Sequence, residues 1–318
     1  MNNLVTESKN IPESNRQLTL SISPITLTVE GRETPLELRI TLPVSGDDIP
    51  IILFSHGHGP SSYLSSKEGY APLVNYYAEQ GFAVIQPTHA SSRVAGLGNN
   101  HPEAPLFLNQ RVHEMKTILD SLAQIECDTP YLAGRLDKKR IAIVGHSLGS
   151  MTASMLMGMT LLTPESKSVL DKRIKAGVLL ATVGKGGDDL IESVRERWPA
   201  FNPDYSTMVT RNLVVCGDED LSPHFTTRGA DWHTDSYHMS PASDFLLTLI
   251  GGKHGLGGIA GYDAKETDDE DPDRLAITQK MTLAYLKSAL YEKDNAWEQA
   301  CEALQAFASK HASVESKH

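Results

Sequence analysis

Cysteine and positive charge are both scarce in this sequence. The chain of 318 residues has three cysteines, Cys127, Cys216 and Cys301, which lie far apart and form no CxxC pair. We therefore interpret them as free thiols and expect neither a disulfide framework nor a cysteine-based metal site. Lysine and arginine total 29 against 40 aspartates and glutamates, a net charge of -11. An acidic surface repels phosphate backbones and anionic lipid, so nucleic acid is not expected as a partner.

A hydrophobic run that would cross a membrane is also missing. The longest fairly apolar stretch, residues 141–163, is interrupted by small and polar residues around Ser147. We interpret it as a strand followed by a buried helix rather than a membrane span. Residues 1–17 are polar and lack the basic start and apolar stretch of a secretory signal. They are expected to form a flexible N-terminal tail on a cytoplasmic protein.

The pattern of apolar residues predicts an α/β fold. Residues 18–42 alternate apolar with polar around a turn, which predicts antiparallel strands at the start of a sheet. Continuous apolar runs follow, typical of parallel strands buried on both faces: 49–55, 82–87, 139–145, 176–182, 212–217 and 243–251. Helical patterns lie among and after them, at 71–80, 108–125, 272–291 and 295–307. This alternation predicts a doubly wound, mostly parallel sheet flanked by helices.

The domain boundaries follow from the same pattern. Residues 18–307 are expected to form a single domain, followed by a polar C-terminal tail at 308–318. Two segments within the domain, 184–208 and 224–242, are expected to act as lids over the site. For the first of them an ordinary crossover helix is an equal alternative.

Ser147 is the predicted nucleophile. It is the central residue of GHSLG, directly after the strand pattern RIAIV and before a helical pattern. Glycines two residues on either side allow a strand and a helix to approach closely at a sharp turn, which would expose the serine hydroxyl. The alternative is a glycine-rich turn with an unreactive hydroxyl.

A serine nucleophile needs a base and an orienting acid. The acid is expected after the next-to-last strand of the parallel set, in GDEDLSP, where we favour Asp220, with Asp218 second and Glu219 third. His254, between glycines in GGKHGLGG after the last strand of that set, is the expected base. The alternatives are an acidic turn and a surface histidine. The order serine, acid, histidine at successive strand ends favours the catalytic interpretation.

Two backbone amides are expected to form the oxyanion hole. The amide of Leu148 starts the helix after Ser147, and helix N-termini favour negative charge. The second is expected in FSHGHG, after an early strand, where the amide of His58 lies between two glycines. The alternative is a tight turn whose histidines only make local contacts.

Four motifs carry a resemblance to a known family. FSHGHG, GHSLGS, GDEDLSP and GGKHGLGG, in this order, resemble the α/β-hydrolase fold across residues 35–290. More narrowly, they resemble the branch of chlorophyllase-like, dienelactone-hydrolase-like and platelet-activating-factor-acetylhydrolase-like esterases. The resemblance implies hydrolysis of carboxylic esters through an acyl-enzyme, without a cofactor. Dienelactone hydrolases use cysteine where this chain has Ser147, so that activity is disfavoured.

Further residues are expected to shape the pocket. His146 beside the nucleophile, and Trp232 and Tyr237 in the second lid segment, are expected to contact the substrate. Neither the histidines of that segment (His224, His233 and His238) nor the acidic run 262–273 has the spacing of a known metal motif, so no metal is expected.

The sequence thus predicts a serine hydrolase acting on small-molecule carboxylic esters, with no cofactor. An amidase, peptidase or thioesterase of the same mechanism stays open, although the sequence offers no charged specificity pocket for it. A non-catalytic binding protein of the same fold is a further alternative, which the intact serine, acid and histidine disfavour. The oligomeric state is left open, with a homodimer among the options.

Overall fold

The main sheet is built from the predicted apolar runs. The computed structural model of the chain describes residues 4–97, 101–199, 201–261 and 268–317. Within these ranges nine strands form one sheet. The strands are β1 Thr19–Leu27, β2 Leu36–Pro43, β3 Ile49–Ser55, β4 Ala83–Pro87, β5 Leu136–His146, β6 Ile174–Leu180, β7 Asn212–Gly217, β8 Ser243–Leu249 and β9 Ala312–Ser316.

The sheet is parallel in its centre and antiparallel at both ends. Its strand order is β1-β2-β4-β3-β5-β6-β7-β8-β9. Strands β3 to β8 run parallel, whereas β1, β2 and β9 pair antiparallel with their neighbours. Every residue of β3, β4 and β7 is buried, as expected for parallel strands covered on both faces. The predicted α/β architecture is confirmed, and β3 and β7 have their predicted bounds.

Helices cover both faces of this sheet. They are α1 Ala71–Glu79, α2 Leu108–Asp120, α3 Leu122–Asp128, α4 Leu148–Leu156, α5 Glu192–Arg197, α6 Asp235–Met239, α7 Pro272–Leu290 and α8 Ala296–Ala303. Successive side chains of a strand point to opposite faces. Accordingly, Ile51 and Leu53 of β3 pack in one core with α2 and α4, while Ile52 and Phe54 pack in another with α1 and α7.

The apolar stretch at 141–163 has the structure that the sequence predicts. It contains the second half of β5 and all of α4, so its apolar residues serve the core. None of the helices in the described part of the chain is both long and apolar enough to cross a membrane. The helical pattern at 108–125 is divided at Ser121 into α2 and α3.

The C-terminal segment differs from the expected polar tail. Residues 308–318 include β9, which pairs with β8 from Phe245 opposite Ser316 to Leu249 opposite Ala312. Its composition is polar because most of its side chains face solvent. Backbone hydrogen bonds, which leave no signal in the composition, hold it in the sheet.

The N-terminal segment also differs from the expectation of a flexible tail. The carboxylate of Asp273, at the start of α7, accepts hydrogen bonds from the amides of Thr6 at 3.1 Å and Ser8 at 3.0 Å. Further along, the ammonium group of Lys280 donates to the carbonyl of Ile11 at 2.9 Å, and the Ile11 side chain is buried. The first part of this segment therefore lies against α7, because polar side chains of α7 satisfy its backbone, and the amide of Gln17 donates to the carbonyl of Glu79 at the end of α1.

Candidate active site

Ser147 lies at a sharp turn between β5 and α4. β5 ends at His146 and α4 begins at Leu148, so one residue makes the connection. The Ser147 backbone has φ 54° and ψ -122°, a conformation that residues with a side chain rarely adopt. Such strain persists only where the surrounding structure maintains it, and it is concentrated at functional sites. A strained strand-to-helix turn of this kind displays the serine hydroxyl above the sheet.

The two glycines around Ser147 make this turn sterically feasible. A Cβ atom on Gly145 would lie 2.2 Å from the carbonyl oxygen of Gly149. A Cβ atom on Gly149 would lie 2.0 Å from the carbonyl oxygen of Ser55, at the end of β3. Both distances are too short for any side chain, so α4 can begin this close to β5 and β3 only with glycine at these positions.

Asp220 and His254 form a hydrogen-bonded pair beside the serine. Nδ1 of His254 lies 2.9 Å from Oδ2 and 3.2 Å from Oδ1 of Asp220, whose side chain is only 1% exposed. The two residues follow the adjacent parallel strands β7 and β8. Together with Ser147 they border one cavity of about 670 Å³. Because Nδ1 is bound to the carboxylate, Nε2 is the ring nitrogen left for the serine hydroxyl.

The neighbouring acids have other partners. Oδ1 of Asp218 accepts a hydrogen bond from the amide of Gly251 at 2.7 Å, and its side chain is exposed. Glu219 is exposed at the border of the cavity. Among the three acids that follow β7, the structure brings Asp220 to the ring of His254.

The charges at this pair keep Asp220 ionised and make His254 more basic than an isolated histidine. Burial in the cleft lowers the pKa of His254, but the hydrogen bond and charge of Asp220 outweigh it, and the net shift is upward. For Asp220, burial raises the pKa, and the facing histidines outweigh it, so the net shift is downward. Asp220 is therefore a carboxylate at neutral pH and can hold His254 in one tautomer and orientation.

His233 is a second imidazole against the same carboxylate, a contact that no spacing in the sequence predicts. Its Nδ1 donates to the carbonyl of Thr182 at 2.7 Å, because a carbonyl can only accept. Its Nε2 lies 3.2 Å from the hydroxyl of Ser222 and 3.4 Å from Oδ2 of Asp220. Burial lowers the pKa of His233. A neutral His233 accepts a hydrogen bond from the hydroxyl of Ser222, and its ring packs against the carboxylate of Asp220.

The amides expected to hold an oxyanion lie next to Ser147. A Cβ atom on Gly57 would lie 3.3 Å from that of Ser147, so the loop after β3 passes directly beside this serine. His58 and Leu148 both border the cavity. Leu148 is the first residue of α4, and the first amides of a helix have no acceptor within it. The cavity therefore has two backbone segments beside Ser147 from which amides could bind a negative oxygen.

The side chain of His56 orients one of these amides. The amide of His89 donates to Nε2 of His56 at 3.0 Å, so the His56 proton is on Nδ1, which donates to the carbonyl of Gly57 at 2.7 Å. In a planar trans peptide the carbonyl and the next N–H point in opposite directions. The amide of His58 therefore points away from the His56 ring.

Comparison with known families agrees with this architecture. The model of the alpha/beta hydrolase family matches residues 52–314, which span β3 to β9. The chain belongs to the alpha/beta hydrolase family. No curated protein matches it by sequence. Membership of this family supports a hydrolase.

In this alpha/beta hydrolase the three residues expected to contact substrate occupy different places. Trp232 borders the cavity, and its indole N–H donates to the carbonyl of Lys185 at 2.8 Å. His146 is buried, with Nδ1 2.8 Å from the hydroxyl of Tyr70 and Nε2 2.8 Å from the carbonyl of His254. Through these contacts His146 supports the loop that contains His254.

Tyr237 lies outside the group of residues that border the cavity in the described part of the chain. It is buried in α6, and its ring lies 4.7 Å from the ammonium group of Lys317. Its aromatic character predicted a pocket wall, but the same character serves packing against the C-terminal strand.

One wall of the cavity in this hydrolase is apolar and comes from the two segments expected to be lids. Phe201, from the first segment, and Phe225 and Trp232, from the second, form an apolar wall with ring centroids 5.3 Å and 6.1 Å apart. Leu106 and Val183 extend this surface. A cavity with one aromatic wall and a polar side that includes Ser147 and His254 suits a small molecule with an apolar portion.

One group of side chains in this hydrolase has the composition of a metal site. Within the described residues, potential ligand atoms of Asp220, His233 and His254 lie within 4.8 Å of one another. His224 and His238, the other histidines weighed from the sequence, are not part of this group. The hydrogen bond to Asp220 occupies Nδ1 of His254 and leaves its Nε2 facing away from the carboxylate.

Two acids of the acidic run 262–273, Asp268 and Asp269, support the loop that contains His254. Residues 262–267 lie outside the described residues. Asp269 is buried and accepts hydrogen bonds from the amides of Lys253 at 2.8 Å and Gly257 at 3.3 Å. Asp268 pairs with the ammonium group of Lys253 at 2.8 Å. The two acids thus hold the turn that contains His254.

Proposed function

We propose that this alpha/beta hydrolase is a serine esterase that cleaves small carboxylic esters through an acyl-enzyme. The observation that carries the proposal is the hydrogen bond between the buried Asp220 and His254 at the same cavity as Ser147 on its strained turn. An isolated serine hydroxyl is a poor nucleophile at neutral pH, and a histidine oriented by a carboxylate activates it.

Each residue has a defined part in the proposed reaction. Ser147 Oγ attacks the ester carbonyl carbon while His254 Nε2 takes its proton, and the amides of His58 and Leu148 bind the resulting oxyanion. His254 then gives the proton to the leaving alcohol, which departs and leaves the acyl group on Ser147. Water, deprotonated by His254, hydrolyses the acyl-enzyme and regenerates the serine. Asp220 stays ionised and holds the imidazole throughout.

The cavity supports an ester with an apolar acyl or alcohol group. Its aromatic wall offers apolar contact, and its volume of about 670 Å³ is in the range of sites for small organic ligands. We propose that the enzyme is related to the chlorophyllase-like, dienelactone-hydrolase-like and platelet-activating-factor-acetylhydrolase-like esterases. The support is the resemblance of its motifs, among them those around Ser147 and His254. The segments 184–208 and 224–242 are proposed as the lids that select the substrate.

The test is the loss of two activities in Ser147→Ala. Wild-type protein should hydrolyse p-nitrophenyl esters and react with a fluorophosphonate probe to give a mass shift on Ser147. The variant should lose at least about a thousandfold in turnover, because it has no nucleophile, and should not be labelled. Undiminished labelling of the variant would refute the assignment.

A panel of substrates sharing one acyl group then separates the reaction types. Faster turnover of the ester than of the matched thioester and anilide supports an esterase. A preference for the thioester or anilide would make the enzyme a thioesterase or amidase on the same residues. Failure of every activated ester to form an acyl-enzyme would favour a binding protein of this fold.

A further inference from the structure

Arg111 is a fully buried cation that contacts the loop beside Ser147. It lies in α2 with no exposed surface, and its guanidinium group donates hydrogen bonds to four groups. Nε donates to the hydroxyl of Thr152 at 2.9 Å, and Nη1 donates to that of Ser91 at 2.6 Å. Nη2 donates to the hydroxyl of Ser55 at 3.1 Å and to the carbonyl of His56. Two of the four acceptors thus belong to the end of β3 and the loop that follows it.

Burying a charge is costly unless it is paired, so its retention here requires a reason. Glu114, one turn further along α2, is also fully buried and contributes opposite charge near Arg111. The carboxylate of Glu114 binds Nδ1 of His89 at 2.6 Å, the amide of Ala90 at 3.0 Å and the guanidinium of Arg32. A second arginine, Arg32, whose side chain is 1% exposed, shares the same counterion, and its other described hydrogen bonds go to the carbonyls of Thr34 and Thr88.

The loop is held at successive peptide groups. The carbonyl of the His56–Gly57 peptide accepts from Arg111, and its N–H, on Gly57, donates to the hydroxyl of Tyr70 at 3.1 Å. The carbonyl of the next peptide, Gly57–His58, accepts from the His56 ring. Rotation of the first peptide would break the contacts with Arg111 and Tyr70, and it would also move the ring that sets the second. The direction of the His58 amide thus depends on the contact between Arg111 and the His56 carbonyl.

We infer that Arg111 is a positioning residue for the oxyanion hole, which it acts on through the carbonyl of His56. It touches no reacting atom. It contributes by keeping the His58 amide in the direction that binds the oxyanion, so that no reorganisation is needed when the charge develops. The inference rests on the proposed function, because it requires an oxyanion to form at Ser147.

The test compares Arg111→Met with Arg32→Met. Both variants remove a buried guanidinium near Glu114, so both should lower the melting temperature, but only the first frees the loop. In Arg111→Met, kcat for a p-nitrophenyl ester should fall about a hundredfold, with KM within about threefold, because removal of one oxyanion donor has an effect of this order. Arg32→Met, assayed while folded, should keep kcat within about threefold of wild type.

A second readout separates positioning from a general loss of structure. An alkyl trifluoromethyl ketone accepts the serine oxygen at its carbonyl carbon and gives a hemiketal oxyanion, whereas the matched alcohol forms no such adduct. In Arg111→Met the dissociation constant of the ketone should rise by about the same factor as kcat falls. The dissociation constant of the alcohol should be the same as for the wild type. Arg111→Lys retains the charge and one donor nitrogen, and it should recover part of the loss in both measurements.

The outcomes that contradict the inference are distinct from failure of the proposed function. Wild-type protein that neither turns over esters nor forms the ketone adduct would refute the esterase. An active wild type with equal losses of kcat in Arg111→Met and Arg32→Met would overturn the positioning role alone. If Arg111→Met does not fold, the comparison is made with Arg111→Lys, and unchanged kcat and ketone affinity in that folded variant would overturn it.

Discussion

Replacing Asp220 by asparagine alters one atom of the candidate site and removes its buried negative charge. Asparagine has nearly the shape of aspartate, so packing around this residue should change little. Nδ1 of His254 would then face an amide in place of the carboxylate that it meets at 2.9 Å. The amide NH₂ can donate to Nδ1, which places the ring proton on Nε2 and leaves no nitrogen to accept the serine proton.

The substitution should have two effects, one on kcat and one on the pKa of His254. Loss of the correct tautomer should lower kcat by about 10⁴, which corresponds to about 5 kcal/mol of activation free energy. The carboxylate also raises the pKa of His254 against the effect of burial, which lowers it. In the variant burial is opposed only by the charge of Asp269, the smallest of the upward contributions, so the pKa of His254 should fall. Because the histidine is active when neutral, the acid limb of the residual activity should move to lower pH.

The assay is the pH dependence of kcat/KM for a p-nitrophenyl ester, with Asp218→Asn as the matched control. Asp218 follows the same strand but is exposed and binds the amide of Gly251, so its replacement should leave kcat within about threefold. An Asp220→Asn variant that is folded and within tenfold of wild type would refute the assignment of the acid. Equal losses in the two variants would show that the effect comes from the charge of the loop.

Two further predictions concern pH and stability. Because the pKa of His254 is raised above its usual 6.5, wild-type kcat/KM should fall on the acid side with a midpoint above that value, and a midpoint below it would contradict the ion pair with Asp220. For Asp273, burial raises the pKa, but hydrogen bonds from Ser8 and Thr6 outweigh it and lower it to about 2 from 3.8. Asp273→Asn should therefore lower the free energy of unfolding by at most about 2 kcal/mol at neutral pH. The difference should shrink as the pH falls from about 4 to about 2, where the wild-type carboxylate is protonated, and a constant difference in urea titrations would contradict this.

The parallel centre of the fold could be predicted because burial on both faces leaves a direct mark on composition. The runs IPIILFS and NLVVCG coincide with β3 and β7, since both strands consist of residues that are all buried. β9 left no such mark. Its side chains are mostly exposed, and it is held by backbone pairing with β8, which any residue sequence can provide.

The positions of the candidate residues Ser147, Asp220 and His254 could also be predicted, because glycine spacing and strand ends are local features. The strained turn at Ser147 requires Gly145 and Gly149, and these are present in the sequence. What could not be seen is contact between distant segments. His233 meets Asp220, and Arg111 meets His56, through the packing of loops and helices for which no spacing rule exists.

Aromatic residues were the least informative part of the sequence. Trp232 and Tyr237 lie in one segment and were given the same role, yet Trp232 borders the cavity and Tyr237 contacts Lys317. Both side chains are buried, and the burial of an aromatic residue does not predict whether its ring borders the cavity or packs elsewhere.

The position of β9 at the end of the sheet bears on the solubility of the protein. The strand presents Glu315 and other polar side chains to solvent, and charge on an outer strand opposes pairing between sheets of different molecules. A chain shortened before Ala312 would instead expose the hydrogen-bonding edge of β8, whose Leu247 and Leu249 are fully buried. Such shortened molecules should associate edge to edge and precipitate, although every residue of the candidate active site would still be present.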